Sequence, residues 1–217
     1  MTISAAKLNK PQVVDVYSKT AFIYDIWGML TETKARQRAL AFANVKNGEA
    51  ILEVAVGTGL TFLEILKANP DGENIGIDLT PAMLEKAQFK AAKSGIHNNY
   101  QLTTGDAYDL QFPDRHFDLL MNNYMFDLLP EKDFPLVLAE FKRVLKPGGR
   151  LVLVNMTRGE RFHQKFWEGV YHLNPRWLGG CRGVLLYEHL GNAGFQNIKR
   201  EFLSQFGFPS EIISAVL

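Results

Sequence analysis

The segment of the 217-residue chain best suited to bind a ligand is ILEVAVGTGLTFLEIL, residues 51–66. It has the pattern of an apolar strand, a turn with two glycines and the start of a helix. Glycines let a backbone pass close to a ligand where a Cβ would clash, and a helix N-terminus presents unpaired N–H groups. The turn residues Gly57, Thr58 and Gly59, with the acidic Glu53 before them, are therefore candidate binding residues. The alternative is a tight turn that binds nothing.

Two common nucleotide-binding motifs do not match this turn. The dinucleotide fingerprint G-x-G-x-x-G needs a glycine at position 62, where the chain has Phe62. The turn also lacks the lysine of a phosphate-binding P-loop. The sequence therefore argues against a nicotinamide dinucleotide as the ligand.

Acidic residues follow two later strand-like runs. Asp78 ends the run after the glycine turn, about 20 residues on, where a carboxylate can accept hydrogen bonds from ribose hydroxyls. Asp106 follows the next run and Gly105. The carboxyl ends of parallel strands meet at one edge of a sheet, so both side chains are candidates for the same ligand. The alternatives are an aspartate that caps a helix and an ordinary turn aspartate.

The elements that must position these residues alternate between strand-like and helix-like runs from Gly48 onward, which predicts βαβ units and a parallel sheet. The last two strand-like runs are separated only by 207–210 and predict an antiparallel hairpin. The expected fold is α/β, with a doubly wound, mostly parallel seven-stranded sheet and an antiparallel edge hairpin. The predicted strands are 50–55, 74–78, 100–104, 117–122, 150–155, 198–206 and 211–217.

Helices are predicted between these strands. One follows Thr80 as N-cap and Pro81 at the first helical position, and ends at Ser94-Gly95. Two regions lie outside the alternation: 11–45 predicts two helices, and the aromatic-rich 157–180 predicts a helical excursion. We expect one domain over 1–217, with the N-terminal helices (about 1–45) and the excursion forming a cap. The other predicted helices are 60–68, 131–145 and 184–192.

Composition narrows the function. Lys and Arg (24) nearly balance Asp and Glu (23), which argues against a nucleic-acid partner. A single cysteine, Cys181, excludes an internal disulfide and a multi-cysteine zinc site, so no metal site is expected. The chain shows neither a secretory h-region nor an apolar stretch of about 20 residues. A soluble, cytoplasmic protein is expected, with docking on a membrane surface left open.

Four segments in order resemble the class I S-adenosylmethionine-dependent methyltransferases. They are EVAVGTG (53–59), GIDLTPAMLEKA (76–87), GDAYDLQFPDRHFDLL (105–120) and RVLKPGGRLVLVNMT (143–157). The first departs from the family pattern, because Ala55 replaces its first glycine. The resemblance covers nearly the whole chain and implies S-adenosyl-L-methionine as cofactor.

The resemblance also implies roles for single residues. Glu53 and the loop Gly57–Gly59, including Thr58, would hold the methionine moiety of the cofactor. The ribose would be bound by Asp78, with Leu79 and Met83 nearby, and the adenine by Asp106 and Ala107. Asn122 would lie near the sulfonium, and Tyr24 would close over the cofactor.

Within the family, VYSKTAFIYD (16–25) and Ala55 resemble the ubiquinone/menaquinone C-methyltransferase branch, and the chain also resembles phospholipid N-methyltransferases. NNYMFDLLP (122–130) departs from the Phe-Gly-x-Arg-Asn of the quinone branch. The chain also lacks the Asn/Asp-Pro-Pro-Tyr motif of the enzymes that methylate amino groups of nucleic acids and glutamine. The resemblance implies a small, hydrophobic acceptor, either a quinone-type ring or a phospholipid amine. The alternatives are a catalytically silent protein on the same fold and an RNA or protein methyltransferase.

No catalytic base is assigned from the sequence, and the oligomeric state stays open. A protonated nucleophile needs a base, for which His163, His172, Tyr17, Tyr24 and Tyr124 are candidates. Each has a structural alternative as a packed or surface residue. The aromatic residues of 157–180 are interpreted either as a helix packed on the sheet or as an apolar wall for the acceptor.

Overall fold

A computed structural model describes residues 6, 9–96, 99–157 and 181–217, without the side chains of 19–27 and 29. Seven strands form one sheet in the order β3-β2-β1-β4-β5-β7-β6. Neighbours among β1 to β5 pair in parallel, whereas β7 is antiparallel to both β5 and β6. This is the predicted fold class. The strands are β1 (Ala50–Val54), β2 (Glu73–Asp78), β3 (Tyr100–Thr104), β4 (Phe117–Asn123), β5 (Leu145–Met156), β6 (Gln196–Gln205) and β7 (Phe208–Val216).

Helices cover the sheet and precede it. The first begins at a capping box in which Asn9 accepts from the backbone of Gln12 and Gln12 accepts from that of Asn9. It leads through Glu32 into the second helix, as predicted for 11–45. The helices are α1 (Lys10–Thr31), α2 (Thr33–Ala43), α3 (Leu60–Ala68), α4 (Pro81–Lys93), α5 (Phe134–Val144) and α6 (Tyr187–Asn192), with 3-10 turns at Phe126–Leu128 and Glu131–Asp133.

The central strands are buried on both faces, which explains their continuous apolar sequences. Successive residues of β1 enter different clusters, Ile51 with α2 and β7, Leu52 with α5. The chain builds the sheet outward from β1 to β3 and then crosses to β4 on the other side of β1. A crevice opens at such a switch point, beyond the carboxyl ends of the strands.

Several predicted boundaries were wrong, among them the start of β5, which lies at Leu145 and not at 150. The helix predicted over 131–145 is a 3-10 turn followed by α5, and Pro135 lies in the first turn of α5, where a missing N–H costs nothing. The helix predicted over 184–192 begins only at Tyr187. The hairpin turns at Phe206-Gly207, both with positive φ (50° and 79°), and not over 207–210. Residues 158–180, nearly all of the predicted excursion, lie outside the described residues.

Candidate active site

A cavity of about 320 Å³ opens at the carboxyl ends of β1 to β4, beneath the start of α1. Its walls are the loops that follow the strands and the first two turns of α1. It brings together more than half of the residues predicted to bind the cofactor. Those that line it are Gly57, Asp78, Leu79, Met83, Asp106 and Ala107.

The two glycines of the turn after β1 have different structural roles. Both have positive φ, 55° at Gly57 and 82° at Gly59. A Cβ on Gly57 would meet no atom within 4 Å and would project into open space. A Cβ on Gly59 would lie 2.9 Å from the Cβ of Ala87, so this glycine lets the turn pack against α4. Gly57 lines the cavity, whereas Gly59 does not.

Asp78 is fixed at the centre of the cavity wall. Its Oδ2 accepts from the N–H of Gly57 at 2.8 Å and its Oδ1 from the N–H of Thr80 at 2.8 Å. Burial raises the pKa of this carboxyl above its ordinary value, and the two backbone donors offset only part of that rise. The carboxylate therefore joins the glycine turn to the start of α4.

Asp106 lies at the far end of the cavity under the start of α1. Its Oδ2 accepts from Lys10 Nζ at 2.7 Å and its Oδ1 from the N–H of Tyr108 at 3.1 Å. The ammonium of Lys10 also lies 3.8 Å from the centre of the Tyr108 ring. The carboxylate is thus paired with a basic residue from the N-terminal helix, a partner that the sequence pattern did not reveal.

A smaller cavity of about 50 Å³ adjoins the first and shares Ala55, Gly57, Asn123 and Tyr124 with it. Glu53 and Thr58, both predicted, line it together with Arg36 of α2. Burial raises the pKa of Glu53 to about 8, although Asn123 Nδ2 donates to its Oε1 at 3.2 Å. Glu53 Oε2 and Asn123 Oδ1 are buried and have no hydrogen-bond partner among the described residues. Buried polar atoms in that state are typical of a site that a polar ligand completes.

Of two neighbouring asparagines at the end of β4, Asn123 lines the cavities and the predicted Asn122 does not. Asn122 is fully buried, donates to the carbonyl of Val54 at 2.8 Å and lines neither cavity. Side chains alternate between the faces of a strand, so the next residue, Asn123, is the one that shares a face with Glu53. The motif fixes where the strand ends, but one residue of register decides which amide is presented.

An apolar wall closes the cavity on the side of α1. Val13 and Tyr17 of α1 pack there with Met83 of α4 and with Leu128 of the turn after β4. This wall connects the first N-terminal helix with the cavity. The start of α1 thus contributes to the lining of the cavity, and its role as a cap stays a prediction.

The candidate bases have different outcomes. Tyr124 is buried, shares a hydrogen bond of 2.7 Å with Ser210, and burial raises its pKa well above its ordinary value, which disfavours a role as base. Tyr17 lines the cavity. His163, His172 and the side chain of Tyr24 lie outside the described residues. Their predicted roles stay predictions.

Comparison with known proteins agrees with this geometry. A family model described as a methyltransferase domain matches residues 51–149. A demethylmenaquinone methyltransferase of Symbiobacterium thermophilum is 33% identical over 156 residues, which cover 69% of the chain and 61% of that protein. Another from Lactobacillus johnsonii is 29% identical over 221 residues, covering 96% of the chain and 89% of that protein. The chain thus spans about three fifths of the first relative and most of the second.

Residues 51–149 of the chain match a methyltransferase domain, and the comparisons support a class I S-adenosylmethionine-dependent methyltransferase. The matched region of this methyltransferase contains every predicted cofactor-binding residue except Tyr24. The cofactor of its family is S-adenosyl-L-methionine. The described part of the chain contains no helix of the length and apolarity needed to cross a bilayer.

Solved structures confirm the fold of the methyltransferase domain. The [4+2]-cyclase SpnF has a TM-score of 0.77 at 18% identity, over 99% of this chain and 97% of its own. An S-adenosylmethionine-dependent methyltransferase from Aquifex aeolicus has a TM-score of 0.61 at 19% identity, over 97% and 99%. Since one neighbour is named as a cyclase, the fold alone does not fix the reaction.

Proposed function

We propose that the protein transfers a methyl group from S-adenosyl-L-methionine to a small hydrophobic acceptor, a ring of the demethylmenaquinol type. The observation that carries the proposal is the make-up of the cavity. Its lining combines the carboxylates of Asp78 and Asp106 with an apolar cluster that contains Val13, Tyr17 and Leu128. A polar cofactor and an apolar acceptor would find complementary walls in one space.

The residues present fit the cofactor at both of its ends. Gly57 leaves open space where a Cβ would lie, and Glu53 and Asn123 present unpartnered buried oxygens in the small cavity. We assign the small cavity, with Arg36 and Thr58, to the amino-acid end of the cofactor. Asp78 would accept from the ribose hydroxyls, Leu79 and Met83 would pack beside them, and Asp106 and Ala107 would contact the adenine. When bound, the cofactor supplies an electrophilic methyl group on a sulfonium.

The protein's own contribution is alignment and exclusion of water. The first turns of α1 lie over the cavity, and Lys10 ties them to the sheet edge through Asp106. Val13 and Tyr17 bring an apolar surface toward the strand ends. An acceptor ring between this surface and the cofactor would be held away from solvent. This arrangement supports a role of α1 as a lid.

The demethylmenaquinone methyltransferases among the relatives support the ring over an amine as the accepting group. The apolar wall agrees with either acceptor. A phospholipid amine is therefore kept as an arm of the test. RNA and protein acceptors serve as the contrasting classes, in accord with the near-neutral charge of the chain.

The test has a binding arm and a transfer arm. Calorimetry should show binding of S-adenosylmethionine and S-adenosylhomocysteine and none of NAD; NAD binding without either would refute the proposal. Transfer of labelled methyl is then measured to a short-chain demethylmenaquinol, to phosphatidylethanolamine in mixed micelles, to tRNA and to a peptide panel. We expect the demethylmenaquinol to be methylated. Methylation of tRNA or peptides alone would overturn the acceptor class and leave methyl transfer intact.

A further inference from the structure

A row of polar side chains leads from the cavity into the core. Tyr17 of α1 lines the cavity and packs against Met83, and its hydroxyl lies 3.8 Å from the Sγ of Cys181. The Cys181 thiol is buried, and the charge of Asp127 raises its pKa further. Tyr17, Cys181 and Asp127 come from three distant parts of the sequence and meet on one side of the cavity.

Asp127 has a buried carboxyl group, and one of its two oxygens lacks a hydrogen-bond partner among the described residues. It lies in the 3-10 turn after β4 and is fully buried. Its Oδ2 accepts from the N–H of Met156 at 3.1 Å. Its Oδ1 has no hydrogen-bond partner among the described residues. A buried carboxylate oxygen without a donor is costly, and such groups are found where they serve the chemistry of a site.

The charges around Asp127 leave its carboxyl able to exchange a proton near neutral pH. Burial raises its pKa to about 7, while the nearby Arg182 guanidinium lowers it. Arg182 Nη1 donates to the Asp127 carbonyl at 2.8 Å and holds the turn in place. The other titratable groups that face the cluster are Cys181, Tyr124 and Glu32, the last with Arg36 beside it and a pKa raised to about 8.

We propose that Tyr17 accepts the hydroxyl proton of the acceptor ring, and that Cys181 and Asp127 are positioning residues that carry this proton to the buried carboxylate. The inference rests on the proposed function, because it needs a hydroxylated acceptor in the cavity. The order of transfer follows the hydrogen bonds that join the Tyr17 hydroxyl to the Cys181 thiol and the thiol to the Asp127 carboxyl. The acceptor proton passes to the Tyr17 oxygen as the Tyr17 proton passes to the Cys181 sulfur, and the thiol proton passes to Asp127.

The atoms and charges of the whole step balance. The acceptor carbon forms a bond to the methyl carbon while the carbon–sulfur bond breaks, and the electron pair stays on sulfur, which becomes neutral. The proton on the methylated carbon then leaves it and restores the ring hydroxyl. The acceptor thus loses one proton for each methyl group gained, and Asp127 holds that proton. Tyr17 and Cys181 each gain one proton and lose one, and Asp127 returns to the carboxylate when its proton leaves to solvent by way of Cys181 and Tyr17 after the product departs.

Three variants test this path with the demethylmenaquinol acceptor. We expect Tyr17→Phe to lower kcat by about 100-fold, the low end of the range for a lost general base. Asp127→Asn and Cys181→Ala should each lower it by about tenfold or more. The matched control is Tyr100→Phe, which removes a tyrosine hydroxyl in β3, against Phe62. Calorimetric Kd values for S-adenosylhomocysteine and thermal unfolding curves of all variants separate a lost proton path from a lost fold.

The pH profile is the readout that a merely structural role would not change. Wild-type kcat should rise with pH through about 7, as Asp127 ionises. Asp127→Asn should lack this rise and gain activity only near pH 10, where a phenolic acceptor ionises on its own. Tyr17→Phe with the kcat of Tyr100→Phe, or an unchanged rise near pH 7 in Asp127→Asn, overturns the inference alone. A wild-type protein that methylates no hydroxylated ring refutes the proposed function and this inference together.

Discussion

The two sides of the cavity differ in how they are built. On the glycine-turn side, Gly57, Asp78 and Asp106 each lie at the end of a strand or shortly after it, and backbone N–H groups fix both aspartates. On the α1 side, Tyr17 and Cys181 come from segments 164 residues apart and meet only in the folded chain. The geometry of the first side follows from residues near each strand end, whereas that of the second depends on how helices and loops pack.

This difference has a consequence for function. A family can keep one cofactor by keeping strand ends and the residues after them. The acceptor wall can change through the N-terminal helix and the turn after β4 without disturbing the sheet. The fold shared with a protein named as a [4+2]-cyclase agrees with that division.

The largest effect is expected from a substitution on the glycine-turn side. Gly57→Val should lower S-adenosylmethionine affinity by about 100-fold or more, or 2.8 kcal/mol, because the branched side chain would fill the ligand's space. Gly95→Val is the matched control, since Gly95 also has positive φ (70°) and open space around its Cβ. Both variants should lose about 1–2 kcal/mol of unfolding free energy. Calorimetry decides, and equal binding by the two variants would contradict the assignment.

A smaller loss is expected at the neighbouring carboxylate. Asp78→Ala should weaken cofactor binding by about 1–3 kcal/mol, because it leaves the N–H groups of Gly57 and Thr80 and the ribose hydroxyls unpaired. Asp71→Ala, at an exposed aspartate in the turn before β2, is the control and should bind normally. Unchanged affinity in the Asp78 variant would mean that this carboxylate serves only to hold the turn.

The sequence predicted the glycine-turn side well because its signals are local. Periodicity and spacing predicted the carboxyl ends of β1 to β4, beside which Gly57, Asp78 and Asp106 lie, and the antiparallel hairpin. The binding roles of these residues stay predictions. Asn123 lines the cavities and Asn122 does not, since spacing does not fix which of two neighbouring side chains a strand end presents. Asp127 carries no sequence signal, because its burial depends on the packing of β5 and of the segment at Cys181.

The buried acids of the small cavity make stability depend on pH. Glu53 has a pKa raised from 4.5 to about 8, so between these values the folded protein keeps a proton that the unfolded chain has released. The unfolding free energy should therefore fall as pH rises from about 5 to 8, by up to about 1.4 kcal/mol per pH unit for one such group. Urea unfolding at pH 5.5, 6.5 and 7.5 measures this slope.

The variant Glu53→Gln identifies the source of that slope. The amide of this variant does not titrate, so the unfolding free energy should fall less steeply with pH by the contribution of Glu53. The contribution of Glu32 remains. Glu64→Gln, at an exposed glutamate paired with Lys67, should leave the slope as in the wild type. A stability that rises from pH 5.5 to 7.5 in the wild type would contradict the assignment.

Ala55 stands where the family pattern has its first glycine, and replacing it by glycine should raise the free energy of unfolding modestly. Ala55 has φ +58°, a conformation that costs a residue with a Cβ about 1–2 kcal/mol. Ala55→Gly removes this strain but makes the unfolded chain freer by about 0.4–1 kcal/mol. We expect a net gain of about 0.5–1 kcal/mol in urea unfolding. Ala92→Gly, in an exposed part of α4, should instead lose about that amount, and a loss in both would contradict the strain.

The smallest expected effect concerns the link between the two sides, the ion pair of Lys10 with Asp106. Its side chains are 46% and 37% exposed, so the pair should contribute no more than about 1 kcal/mol to folding. Lys10→Met should therefore leave unfolding nearly unchanged. It should also free the Asp106 carboxylate for the adenine amine and raise cofactor affinity by up to about fivefold.

Salt distinguishes this competition from an indirect effect of the substitution. Because ions screen an exposed pair, 0.5 M NaCl should raise the cofactor affinity of the wild type toward that of Lys10→Met and leave the variant nearly unaffected. Lys199→Met, on the exposed edge strand β6, is the control and should follow the wild type. If Lys10→Met instead binds the cofactor more weakly at both salt concentrations, Lys10 helps to hold the ligand, and α1 is then part of the cofactor site as well as of the acceptor wall.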